Sequence, residues 1–207
     1  MNGGKEPADY EAFWSSVEAE LAAVPVATER REVPCAEKAV RLYAVRIACA
    51  GPRPVTGYLT VPVAASATNR MPILACYRGA ATDEMPVPKG GPHDRIRLTV
   101  NANGYDLGRG EDYIREFFKS IAKPGFGYGM DPESNADRAT SYWKGVAQRA
   151  IRTLQWLVTL PEWDGTTLEV SGGSQGGWQA LTAASRFHRV TRLVTNGTWG
   201  CDWTGQD

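Results

Sequence analysis

The chain has 207 residues, with 43% hydrophobic and 22% charged side chains. That is long enough to bury a sizeable core, and ordinary for a globular protein. Lys plus Arg balances Asp plus Glu at 23 each, so no bulk basic field points to nucleic acid. The N-terminal "MNGGKEPADYEAFW" lacks the apolar stretch of a secretory signal, and no apolar run has membrane-spanning length. Cys35, Cys49, Cys76 and Cys201 show no metal-binding spacing. Cys49 and Cys76, in or beside strand-like runs, read as buried thiols, which favours a reducing, cytoplasmic setting, and nothing in the spacing points to a metal or cofactor.

In chain order, Asp9 to Val24 has helical apolar spacing at Phe13, Val17, Leu21 and Val24, and Pro25 ends it. Lys38 to Ala50 alternates as a half-buried strand. Val55 to Val63 follows after Gly51-Pro52, so the two predict an antiparallel pair. "PILACY" (72–77) is a continuous apolar run, expected of a strand covered on both faces. Arg95 to Ala102 predicts another strand of that sheet and Gly110 to Ala122 a helix, followed by the glycine-rich "KPGFGYGMDPESN". From Ala139 to Leu160, Trp143, Val146, Ala147, Ala150, Ile151, Leu154, Leu157 and Val158 form one helical stripe. Then come a strand, "TLEVSGG", a helix, "QGGWQALTAASRF", and a strand, "VTRLVTNG". This order predicts one α/β domain over 1–207, with a mostly parallel sheet, an antiparallel N-terminal strand pair and helices on both faces.

Within this pattern, Gly172-Gly173-Ser174-Gln175-Gly176 fits G-x-S-x-G between a strand and a helix. Such a turn holds the serine in strained backbone geometry, so its neighbours must be small. The helix start supplies unpaired N–H groups and positive potential, and sets the Gln175 N–H to meet an oxyanion. A Walker loop would need Lys after its last glycine, but Trp178 follows Gly177. A dinucleotide fingerprint has no matching register. The bland alternative is a structural glycine turn. A second oxyanion donor is expected in the loop after the apolar strand, where Gly79-Ala80 lies.

These residues resemble the acetylxylan esterase / cephalosporin C deacetylase family of α/β-hydrolases. The likeness rests on "LPEWDGTTLEVSGGSQGGWQAL", and extends to "FWSSVEAELAAVP", "TVNANGYDLGRG", "SYWKGVAQRAIRTLQWL" and "RVTRLVTNGTWGCDWTG". It implies an α/β-hydrolase fold and removal of acetyl groups from a sugar through an acyl-enzyme on Ser174. Backbone donors at Ala80 and Gln175, an acetylated saccharide partner and a possible homo-oligomer go with it. The family's His-Gly-Tyr reads Arg78-Gly79-Ala80 here. The backbone donor survives that change, and the pocket-shaping tyrosine does not.

Ser174 needs a histidine and an acid, which follow the serine in this fold. His93 lies upstream in a proline-glycine loop. His188 falls at the helix-to-strand return, where electrostatics alone favours histidine. Asp202 reads as part of the Cys-Asp-x-Thr-Gly segment, and Asp94 is a sequence neighbour of His93. The expectation is therefore a C-terminally truncated hydrolase, lacking the acid and the histidine, whose sheet ends on the apolar "RLVTN". Trp199 and Trp203 fall past a strand end, where sites open, as candidates to line a pocket. Trp143 and Trp156 read as packing residues. The competing readings are a general carboxylesterase or peptidase of the same fold, and an inactive scaffold.

Overall fold

A computed structural model describes residues 7–101 and 103–200. Helix α1 spans Tyr10–Ala22, and strands β1 to β5 span Thr28–Val33, Val40–Ile47, Val55–Pro62, Met71–Tyr77 and Ile96–Asn101. Helices α2 (Glu111–Ile121), α3 (Pro132–Asn135) and α4 (Tyr142–Leu157) follow. The described chain continues through β6 (Trp163–Gly173), α5 (Gln175–Arg186) and β7 (Arg192–Asn196).

The seven strands form one mixed sheet in the order β1-β2-β3-β5-β4-β6-β7. The β2–β3 hairpin pairs antiparallel from Val40↔Pro62 to Ile47↔Val55, as the sequence predicts. Strand β3 runs antiparallel to β5, while β5, β4, β6 and β7 are mutually parallel. Strand β1 was not expected. Its residues, Thr28 to Val33, are mostly charged and exposed, so they carry no apolar alternation. Charged side chains on an outer strand also discourage edge-to-edge pairing.

Both faces of the sheet are covered. On one, Val45, Ile47, Leu59, Ile73 and Val170 pack under Ala150, Leu154 and Leu157 of α4 and Ala180 and Ala183 of α5. On the other, Leu42 and Tyr58 meet Ile114 and Phe118 of α2. Double coverage explains why apolar residues of β2 fall on both parities, and why every residue of β3 is buried.

Helix α4 is more buried than its apolar stripe predicts. Gln148, Arg149, Arg152 and Thr153 are buried too, because α1 packs over the outer face through Val17 and Leu21 against Ile151. Arg152 Nη2 donates to the carbonyls of Leu21 and Val24, the latter at 2.9 Å. Helix ends leave backbone carbonyls short of intrahelical donors, and here a buried arginine from α4 adds a donor at the C-terminal end of α1. Lys144 Nζ and Gln148 Nε2 bind the Glu20 carboxylate at 2.6 and 2.7 Å, closing the same contact.

The topology also fixes where a ligand can sit. After β4 the chain moves to β5 on one side, and after β6 it moves to β7 on the other. Adjacent parallel strands whose connections diverge leave a crevice at their C-terminal ends. The register Tyr77↔Gly172 brings those two ends level.

Candidate active site

Ser174 sits at that crevice, between the last residue of β6 and the first of α5. Its backbone has φ 53° and ψ −125°, and it is the one non-glycine residue with positive φ among those described. An L-residue there is strained, and such strain persists only where surroundings enforce it. Here the Ser174 N–H donates to Asn196 O at 3.0 Å. Its carbonyl accepts from the Gly177 and Trp199 amides at 2.9 and 3.1 Å. The side chain is left exposed at the crest of the bend.

The flanking glycines are required by contact. A Cβ on Gly172 would lie 2.1 Å from Gly176 O, and one on Gly176 would lie 2.1 Å from Tyr77 O. The elbow therefore presses directly on the end of β4. From that end, Arg78-Gly79-Ala80 curls over the serine, and a Cβ on Gly79 would be 3.8 Å from Ser174 Cβ. Ala80, Ser174 and Gln175 line one cavity of about 200 Å³. Among the described residues, neither the Ala80 nor the Gln175 amide has a hydrogen-bond acceptor. One hydroxyl and two unpaired N–H groups around one cavity are the parts an acyl-transfer centre needs.

A buried side chain ties these parts together. Gln179, on α5 and 1% exposed, donates from Nε2 to Arg78 O at 3.1 Å and to Gln175 O at 3.3 Å. It bridges the segments that carry the two amides. Gln175 is also buried, and its Oε1 accepts from Tyr128 Oη at 2.9 Å. Burial pushes the Tyr128 hydroxyl upward in pKa, so it stays a donor at neutral pH.

The family profile for acetyl xylan esterase (AXE1) matches residues 1–205. The chain belongs to the acetyl xylan esterase family. It is 31% identical over 199 residues to acetyl esterase Axe7A of Xylanibacter ruminicola, covering 93% of this chain and 44% of that protein. Among solved structures it resembles the acetyl xylan esterase from Paenibacillus sp. R4, with a TM-score of 0.75 at 22% identity. It also resembles acetyl xylan esterase 1 from Thermoanaerobacterium sp. JW/SL YS485, with a TM-score of 0.76 at 16% identity. The matches cover 97% and 98% of this chain and 62% of each of those chains. The chain thus spans less than two thirds of these relatives, and the two structural likenesses support the α/β-hydrolase fold.

Placed in this family member, the remaining candidates separate. His93 lies just before β5 and His188 just before β7, at the N-terminal ends of the parallel strands. Ser174 follows the C-terminal end of β6. His93 Nε2 contacts Glu37 Oε1, while Asp94 is held by its neighbour Arg95, so Asp94 and His93 do not form a dyad. Neither histidine is near Ser174. Cys201, Asp202 and Trp203 lie outside the described residues.

Trp199 lines the cavity, as its position past β7 suggests, and so does Trp143. Trp143 does more than pack. Its ring stacks on Trp199 at 4.4 Å, meets Trp178 edge-on at 5.5 Å, and donates from Nε1 to Gly129 O at 2.8 Å. Gly127, Tyr128 and Met130 complete the wall. In the sequence their segment reads as a glycine-rich loop. The one signal it carried was its aromatic content beside α4.

Proposed function

We propose that this chain carries the nucleophile and both oxyanion donors of a serine esterase that deacetylates acetylated xylan or xylo-oligosaccharides. Ser174 Oγ attacks the acetyl carbonyl, and the oxygen's negative charge is met by the Ala80 and Gln175 amides. The C–O bond to the sugar breaks, the sugar hydroxyl leaves with a proton, and water releases acetate from the acyl-serine. A histidine oriented by an acid shuttles the proton, and in this fold both follow the serine in the chain. The observation that carries the reading is the strained, exposed Ser174 sharing one cavity with Ala80 and Gln175, whose amides have no acceptor among the described residues.

The far placement of His93 and His188 favours a second reading for the 207 residues taken alone, a scaffold that keeps the elbow without turnover. Acetate release from acetylated xylo-oligosaccharides decides between them, measured with imidazole added as proton acceptor. The esterase reading expects release that Ser174→Ala abolishes. Release that is the same in Ser174→Ala, or none above the imidazole background, contradicts it.

A further inference from the structure

The cavity beside Ser174 is larger and less polar than an acetyl group needs. Its volume is about 200 Å³, whereas a dry cavity of about 150 Å³ already holds benzene. Its polar side chains are spoken for. The Tyr128 hydroxyl is given to Gln175 Oε1, and the Trp143 indole N–H to Gly129 O. Gln175 Nε2 has no partner, but it is buried beneath the wall without accessible surface. What faces the cavity is therefore the Trp143 and Trp199 rings, Met130, the Ala80 methyl and Gly127. Among the described residues, beyond these come the Ser174 hydroxyl and the two acceptorless amides. A sugar ring brings several hydroxyls, and each would lose its water here without a replacement.

We propose that this cavity is an acyl pocket for apolar acyl groups larger than acetyl, with room for one six-membered ring. The sugar stays on the open side of Ser174. The proposal rests on reading Ser174 and its two amides as an acyl-transfer centre, and extends the acyl groups that centre takes from acetyl to larger apolar ones. The chemistry is unchanged. The serine oxygen bonds to the acyl carbon, the ester C–O bond breaks, the alcohol leaves with a proton, and water then frees the acid.

Binding without turnover tests the pocket independently of catalysis. Benzamide, acetamide and xylobiose are titrated against the 207-residue chain while the indole N–H signals of Trp143 and Trp199 are followed by NMR. Benzamide is expected to saturate with a Kd roughly tenfold or more below that of acetamide, given the extra apolar surface it buries. Xylobiose is expected to give no saturating shift of these two signals. Met130→Trp, or Gly127→Leu (where a Cβ meets nothing closer than 3.8 Å), fills the space and should remove the benzamide response. Ser174→Ala should keep it. Xylobiose binding as tightly as benzamide, or benzamide no better than acetamide, overturns the proposal. Failure of Ser174 to acylate, with benzamide still bound, would instead count against the nucleophile.

Discussion

Ser174 carries the strain of the candidate site and its proposed chemistry, and the two can be separated by mutation. Glycine adopts a positive φ without penalty, so Ser174→Gly removes the hydroxyl and relieves the backbone. The expected gain is about 1 kcal/mol, read as a small rise in Tm, together with loss of any Ser174-dependent acylation. Gly176→Ala should act in reverse, because its Cβ meets the backbone carbonyl of Tyr77. It is expected to cost about 2–3 kcal/mol in denaturant unfolding. Gln179 is a positioning residue. In Gln179→Leu the Arg78 and Gln175 carbonyls lose their shared donor, and the amides those segments carry drift apart. Acylation is expected to slow by roughly tenfold or more with KM for an aryl ester little changed; a change in KM alone would contradict a role through the oxyanion donors. At this scale the bend at Ser174 was legible because glycine spacing encodes a steric need, and Ala80 and Gln175 line the same cavity. Gln179, Tyr128 and Trp143 were not legible, because their roles depend on neighbours distant in sequence.

At the scale of elements, most helices and strands followed from periodicity, and the exceptions have local causes. Strand β1 was missed because its residues are charged and lie at an edge, where no buried face imposes alternation. Helix α4 showed its sheet-facing stripe, but not the polar side chains buried under α1, because an arginine that caps another helix reads as a solvent-facing residue. This α1–α4 contact depends on pH. Lys144, hydrogen-bonded to Glu20, holds the Glu20 carboxyl below its ordinary 4.5. A carboxylate lowered by folding contributes stability above its unfolded pKa, and that contribution is lost as pH falls through the folded value. Amide protection in α1, corrected for intrinsic exchange, is therefore expected to fall below about pH 4.5 ahead of the sheet, and Glu20→Gln should remove this dependence. An equal loss of protection across the sheet would contradict it.

At the scale of the molecule, the described strands form a sheet with two dissimilar edges. The β1 edge is charged. At the other, β7 pairs only with β6 among the described strands, and Leu193 and Val194 are 38% and 48% exposed. The alternating strands and helices made the parallel half legible in the sequence, and "RLVTN" foretold this apolar edge. The order β3-β5-β4-β6 was not legible, because strand neighbours are set by connections that periodicity does not report. An exposed apolar edge favours association. Val194→Lys is accordingly expected to lower self-association in sedimentation velocity without changing the unfolding midpoint by more than about 0.5 kcal/mol equivalent. Association that is unchanged by this substitution would exclude the β7 edge as its cause.

The proposed chemistry rests on one hydroxyl beside two amides. An oxyanion hole alone retains roughly 10³–10⁴ of rate over water when triad members are absent, so the claim is testable on these 207 residues. The chain is incubated with an aryl acetate and imidazole, quenched early, and the acetylated peptides are located by mass spectrometry. Ser174 is expected to acquire acetyl before any other serine, including its neighbour Ser171, and Gln179→Leu to slow this site alone. Acetyl scattered over surface hydroxyls and lysines, with Ser174 no faster than Ser171, would contradict it.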